Sequence, residues 1–202
     1  GEVVFQTGMV GYVESLTDPS YHRQLLTLTY PLVGNYGVPG GDMEALTAES
    51  DKVWPAALIV SQLCDEGQES HWSSARSLHE YLDRHGVPGL IGVVTRALTK
   101  HIRETGPLAA YLVFEAVGDE AAPPPPFVDI NRDNLVREVS CKEAKWYRSG
   151  AEKPLKVIAV DCGMKRNQLR WLNRRGVDVR VVPFDHPFAA DTDEMDGVFL
   201  SN

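Results

Sequence analysis

The chain is poor in cysteine and in positive charge. Its three cysteines, Cys64, Cys141 and Cys162, lie far apart in 202 residues. An odd count with no short spacing gives neither a disulfide framework nor a zinc-ligand pattern. They read first as small buried hydrophobes in a reducing, cytoplasmic setting. Lys and Arg number 20 against 28 Asp and Glu, a net charge of −8. Phosphate neutralisation takes clustered Lys and Arg, so nucleic acid and anionic membrane surfaces are excluded as expected partners. No apolar run nears the ~20 residues of a membrane span, and no signal-peptide pattern opens the chain. Gly-x-Gly-x-x-Gly and P-loop sequences are missing, which removes those two routes to nucleotide binding. The six histidines, His22, His71, His79, His85, His101 and His186, form no metal-ligand pair at helical spacing. They read as surface or helix-end residues, with His85 placed to meet the negative end of a helix dipole.

What remains is a globular composition, 43% hydrophobic and 24% charged. The clearest pattern in it is a strand-turn-helix-strand. Leu155 to Val160 is a short apolar run, Asp161-Cys162-Gly163 a turn, Lys165 to Arg175 a basic helix ended by Gly176, and Val177 to Val182 a second apolar run. This predicts the opening β-α-β of an open parallel sheet, an architecture that presents chemistry at the carboxyl ends of its strands. A third run, Val198-Phe199-Leu200, comes just before the last residue, Asn202. The expectation is a sheet started and not finished, in a chain that opens on Gly1 and is cut at both ends.

The first part also alternates strand and helix. Val3-Val4-Phe5, Leu25 to Tyr30, Ala56 to Val60, Leu90 to Val94 and Ala109 to Val117 read as strands. In Leu25 to Tyr30 the threonines Thr27 and Thr29 give a period of two. A helix is predicted from about Ser73 to His85, with Ala75, Leu78 and Leu82 on one face and Gly86 and Pro88 ending it. Thr95 suits the N-cap of a second helix carrying Leu98 and Ile102, stopped by Gly106-Pro107. Four consecutive prolines, Pro123 to Pro126, read as an extended surface insertion. The domain boundary is placed at the soft stretch Arg148 to Pro154, giving residues 1–150 and 151–202. The fold class is α/β in both parts.

Three local features bear chemistry. Cys162 sits on a strand-to-helix turn near Lys165 and Arg166, where a thiolate could be stabilised, but no base or oxyanion motif accompanies it; nucleophile and turn residue both stay open. Lys165, Arg166, Arg170, Arg174 and Arg175 run without an intervening acid, either as a solvated face or as an interface to an acidic partner. Asp18-Pro19 sets a turn, and Ser20 offers a hydroxyl and an amide on it. Taken locally, Ser20 is a turn serine satisfying its own backbone. Gly8 and Gly11 read as turn glycines rather than a phosphate loop.

At these residues the sequence resembles a known family. Gly1 to Tyr12, Leu16 to Tyr21 with Asp18-Pro19-Ser20-Tyr21, and Leu28 to Gly37 resemble the amino-terminal domain of the carbamoyl-phosphate synthase small (glutaminase) subunit. Thr95 to Thr99 matches a further block. Asp161 to Asn167, Val182 to His186 and Phe199 to Asn202 match the start of its class I glutamine amidotransferase domain. The likeness runs in order along the whole chain and is strongest to the animal form, fused to other pyrimidine-pathway enzymes.

The resemblance implies a glutaminase that supplies ammonia for carbamoyl phosphate synthesis from bicarbonate and ATP. In the family a cysteine thiolate attacks the glutamine carboxamide, a histidine backed by a carboxylate moves protons, and backbone amides hold the oxyanion. It implies L-glutamine and a synthetase region as partners, a homo-oligomer in the full protein, and ATP with a divalent metal only in that synthetase region; no cofactor or metal is expected in this segment. The family's thiol elbow and oxyanion loop should lie beyond residue 202, so no residue of this chain is expected to be catalytic. One substrate contact carries over, Ser20 to glutamine. The chain departs from the family at Val94, where an aspartate is usual. Alternative readings are an ammonia-dependent urea-cycle relative and a non-catalytic docking module for the synthetase region.

Overall fold

The computed structural model describes residues 1–113, 126–127, 129–187 and 194–201. Two compact units are distinguished. One comprises Gly1–Leu16, Tyr21–Thr47 and Lys52–Asp133; the other comprises Thr17–Ser20, Ala48–Asp51 and Asn134–Asn202. The second unit thus takes in two four-residue segments from the first third of the chain.

In the first unit the elements run β1 (Glu2–Gln6), α1 (Tyr12–Leu16), β2 (Leu25–Leu28), β3 (Leu32–Val33), β4 (Val38–Pro39), α2 (Gly41–Thr47), β5 (Ala57–Ile59), β6 (Gln62–Leu63), β7 (Ser74–Arg76), α3 (Leu78–Arg84), β8 (Gly89–Leu90), α4 (Thr95–Thr105) and β9 (Leu108–Ala109). The main sheet has the order β8-β5-β2-β1-β9. Its first four strands are parallel, and β9 joins β1 antiparallel. Leu26, Leu28, Leu58 and Val60 face α1 and α3 through Val13, Leu16, Leu78, Tyr81 and Leu82. Val3, Leu25, Ala57 and Ile59 pack with Ile102 of α4 on the other face.

A parallel strand covered on both faces has no solvent side, so its sequence need not alternate. That corrects the period-two reading of Leu25 to Tyr30: every residue of β2 is buried. Thr27 is fully buried, and its hydroxyl has no hydrogen-bond partner among the described residues. The helix expected from Ser73 begins at Leu78. Residues 74–76 instead pair with β4, and the Ser77 hydroxyl caps α3 by accepting the Glu80 N–H at 3.0 Å. Thr95 is not the N-cap of α4. Val94 holds that position, and Thr95 is the first helical residue, buried. The strand expected at 90–94 is limited to Gly89–Leu90, after which Gly92 turns the chain at φ +86°. Of the strand expected at 109–117, residues 108–109 pair with β1 and residues 114–117 lie outside the described residues, as do Pro123 to Pro125.

The second unit adds α5 (Leu135–Val139), β10 (Lys145–Tyr147), β11 (Leu155–Asp161), α6 (Arg166–Arg174), β12 (Val177–Pro183) and β13 (Gly197–Leu200). Strands β11 and β12 are parallel in register from Leu155–Val177 to Asp161–Pro183, and β13 lies parallel on the other side of β11. The strand-helix-strand read from sequence is therefore present. The sheet is mixed rather than wholly parallel, because β10 runs antiparallel on β12. Ala159, Val177, Val179 and Val181 pack with Met164 and Leu169 on the face toward α6, and Ile158, Val160 and Val182 line the opposite face. The loop between β10 and β11 is pinned by the buried Asp178. Its carboxylate accepts the Ser149 N–H at 2.7 Å, the Ser149 hydroxyl at 2.8 Å and the Arg148 guanidinium at 2.8 Å.

Two outcomes are expected. A buried hydroxyl without a partner costs stability that a methyl of the same shape does not. Thr27→Val should therefore stabilise the protein by about 1 kcal/mol in urea unfolding, and a loss of stability would contradict this reading. The Ser149 amide, then Arg148, hold the Asp178 carboxyl down from 3.8 to about 2. A carboxyl whose folded pKa is depressed stabilises the fold above its unfolded pKa and stops doing so as pH falls through the folded value. The difference in urea midpoint between the native chain and Asp178→Asn should thus be full above about pH 4 and vanish toward pH 2.

Candidate functional site

The candidate site lies in the second unit and is assembled around the amino end of α6. Its sequence poses an electrostatic problem. The N-cap is Lys165, whose side chain has no acceptor, and the next residue is Arg166, so two cations sit at the positive end of a helix dipole. Gln168 partly remedies this by accepting the Lys165 N–H at 3.3 Å. The rest comes from the segments 17–20 and 48–51. The Glu49 carbonyl accepts the Arg166 N–H at 2.9 Å, and its carboxylate accepts the Asn167 N–H at 2.8 Å. Asp18 pairs with Lys165 at 2.5 Å, Asp51 with Arg166, and Glu49 with Arg170 at 3.7 Å. The acidic partner that the basic helix calls for is in its own chain. The helix amino end is filled by Glu49 and is closed to an external anion.

The same contacts fix the Asp18-Pro19-Ser20 turn. The buried Asp18 uses one carboxylate oxygen on Lys165 and the other on the Ser20 N–H, at 3.0 Å. Thr17 is tied to the second segment: its hydroxyl accepts the Glu49 N–H at 2.8 Å and its carbonyl accepts the Ser50 hydroxyl at 2.7 Å. Residues 19–21 form a single 3-10 turn with Pro19 buried. Ser20 is exposed at its surface, and its hydroxyl makes no hydrogen bond among the described residues. The local reading of Ser20, a hydroxyl satisfying its own backbone, is therefore not what the structure displays. A free hydroxyl stands on an anchored backbone.

Pro19 in turn touches the strand-to-helix turn. Gly163 adopts φ +109°, and a Cβ there would sit 3.2 Å from the Val139 side chain and 3.4 Å from Pro19. Only glycine suits both the backbone angle and that approach. Asp161, buried at the end of β11, organises this turn. One of its oxygens accepts the Gly163 and Met164 amides at 2.9 and 2.8 Å, and the other accepts the Cys141 amide at 2.7 Å. The Cys162 amide donates to Ser201 Oγ at 2.8 Å.

The three thiols are free and half-buried. Burial, reinforced by the neighbouring Asp161 carboxylate, pushes the Cys141 thiol up to about 11, and burial followed by Glu69 and Asp65 raises Cys64. Neither has the cationic surroundings of a nucleophile. No hydrogen bond to a histidine or carboxylate side chain activates Cys162 among the described residues. Among the described residues no three His, Cys, Asp or Glu side chains gather closely enough to hold a metal ion, and no helix is long and apolar enough to cross a membrane.

Elsewhere, the two amides at the end of the Gly8 to Tyr12 segment are already spent. The Gly11 and Tyr12 N–H groups donate to Tyr36 Oη at 2.7 and 3.1 Å, and the Tyr12 and Tyr36 rings stack at 4.1 Å. That leaves a turn rather than a phosphate loop. Sequence reasoning misses Glu49 and Asp51, and it reads Asp18 and Asp161 as turn residues without their tertiary partners. A strand ending in Asp before a Cys-Gly turn was a readable signal for Asp161, whereas nothing local ties Glu49 to a helix 118 positions later.

Comparison with known proteins identifies relatives of the chain. The family described as carbamoyl-phosphate synthase small chain, CPSase domain, matches residues 1–112. The chain is 50% identical over 206 aligned positions to the multifunctional protein CAD of Squalus acanthias, covering all of this chain and 9% of that protein. It is 47% identical to the multifunctional protein pyr1-3 of Dictyostelium discoideum, covering all of this chain and 10% of that one. With the carbamoyl phosphate synthase arginine-specific small chain of Aspergillus niger it shares 43% identity, over the whole chain and 45% of the relative. The chain therefore spans a tenth or less of these multifunctional relatives and under half of the fungal small chain.

A thiol with a pKa near 11 is almost wholly protonated at neutral pH. Alkylation of Cys141 by iodoacetamide, followed by peptide mass spectrometry, should quicken about tenfold per pH unit up to about pH 10. A rate already at its plateau at pH 8 would contradict the burial argument.

Proposed function

The chain belongs to the carbamoyl-phosphate synthase small-chain family, and from that premise we propose that it forms the scaffold and one substrate grip of a glutamine-dependent carbamoyl-phosphate synthase. Residues 1–150 are the small-subunit amino-terminal domain, and residues 151–202 open a class I glutamine amidotransferase domain. Ser20 is the contact to L-glutamine. The ammonia released passes to a synthetase region, the part of the enzyme that uses ATP and divalent metal. No residue of this chain acts as the nucleophile.

The observation that carries the proposal is the free Ser20 hydroxyl on a turn locked to the β11-α6 junction through Asp18 and Lys165. The turn belongs to the same compact unit as the β11-α6-β12 crossover. A hydroxyl on such a turn can take one hydrogen bond from, or give one to, a small polar substrate without an ordering cost at the moment of binding. The thiol environments support placing the nucleophile outside residues 1–202: Cys64 and Cys141 are shifted away from thiolate. Identity to the multifunctional proteins, at 50%, 47% and 41%, brackets that to the arginine-specific chain, at 43%, so a role in pyrimidine synthesis rests on the likeness to the first two alone.

The test uses the enzyme with its amidotransferase and synthetase regions present. Ser20→Ala should raise KM for glutamine about tenfold, the worth of one well-placed hydrogen bond. Carbamoyl phosphate synthesis from free ammonia should stay within about twofold, because the synthetase chemistry is untouched. An unchanged glutamine KM would overturn the assignment. The 202-residue chain alone should release no ammonia from glutamine, and measurable release would place a nucleophile within it.

A further inference from the structure

The carboxyl ends of β1, β2 and β5 are followed by Thr7, Thr29 and Ser61. These three hydroxyl residues meet the first turns of α4 around a cleft of about 630 Å³. This is the edge at which parallel α/β sheets hold ligands, and the volume is that of a small-molecule site. From α4 the lining takes Thr95, Arg96, Thr99, Lys100 and Arg103. Arg96, Lys100 and Arg103 are spaced i, i+4 and i+7 and so share one stripe of the helix. Among the described residues none of the three is paired with a carboxylate. Three unpaired cations round one cleft repel each other, in a chain whose net charge is −8.

The polar groups of the cleft are unspent as well. Thr95 is only 3% exposed and lines the cleft, yet its hydroxyl makes no hydrogen bond among the described residues. Behind it the Thr99 hydroxyl is wholly buried and has no partner among the described residues. Val94 stands at the N-cap of the eleven-residue α4 with no acceptor in its side chain, and the helix starts without a side-chain cap. The amides of Thr95, Ala97 and Leu98 are used by Val93 and Val94 carbonyls, which leaves the Arg96 amide open. Unpaired buried hydroxyls and an uncapped helix amino end beside three cations form a donor set with no acceptor.

We propose that this cleft binds an oxyanion, the phosphoryl or carboxylate group of a small metabolite. Arg96, Lys100 and Arg103 balance its charge, and its oxygens accept from Thr95 and the Arg96 amide. The site is built within the first unit and does not rest on Ser20 or on the glutaminase reading.

The test is a titration of the purified 202-residue chain followed by amide and threonine-methyl NMR, with inorganic phosphate and with succinate, each against sodium chloride at matched ionic strength. Saturable shifts at Thr95, Arg96 and Thr99 are expected with the oxyanion and not with chloride. The anion with the tighter curve identifies the phosphoryl or the carboxylate source. Arg96→Ala combined with Lys100→Ala, both exposed positions, should weaken binding about tenfold or more while the anion-free melting temperature holds or rises as the repulsion is relieved. Thr95→Val, which keeps the shape and removes the hydroxyl, should weaken it severalfold. Shifts equal to those in chloride, or affinity that survives the double substitution, would overturn the proposal.

Discussion

The second unit depends on acids brought to the amino end of α6. A helix that opens on Lys165 and Arg166 opposes its own dipole and leaves first-turn amides without a cap. Glu49 supplies both a carbonyl and a carboxylate to those amides, while Asp18 and Asp51 pair with the two leading cations. An anion in this position is worth about 0.3–1 kcal/mol at an exposed helix end and up to about 2 kcal/mol when partly buried. Glu49 and Asp18 are both buried, so the upper part of that range applies. The same contacts hold two short stretches, residues 17–20 and 48–51, against a strand-helix junction remote from them in sequence.

Position follows from that arrangement. Asp18 cannot grip Lys165 without also orienting the Ser20 amide, since each oxygen of one carboxylate serves one partner. The Ser20 hydroxyl is thereby displayed on a backbone anchored through its amide. Gly163 permits the approach of Pro19, and Asp161 holds the turn that Gly163 belongs to. Of the cysteines near this region, Cys141 is held in surroundings that favour thiol over thiolate, and Cys162 donates its amide to Ser201.

Much of this was legible in the residues, and the remainder was not for physical reasons. Strands β1, β5, β11 and β12 were readable because buried parallel strands are short apolar runs bounded by turns. The helix α3 was begun five residues early: Ala75 continued the apolar spacing, while the Ser77-x-x-Glu80 capping signal was passed over. Thr27 looked like a solvent position because alternation assumes a wet face, and β2 has none. The short β10 lies just before the stretch that reads as a boundary, and only Trp146 and Tyr147 hint at a strand there. Asp18 and Ser20 could be seen as a turn, but the link from Glu49 to Asn167 is a tertiary fact that no local pattern carries.

The proposed glutamine contact requires Asp18 and Ser20 to act as one device, a carboxylate that positions the Ser20 hydroxyl. A double-mutant cycle on the glutamine KM of the complete enzyme tests it most directly. Asp18→Asn should weaken glutamine binding, and adding it to Ser20→Ala should cost nothing further, because a hydroxyl that is gone cannot be misplaced. Independent, additive losses, or an Asp18→Asn enzyme with native glutamine affinity, would contradict the account.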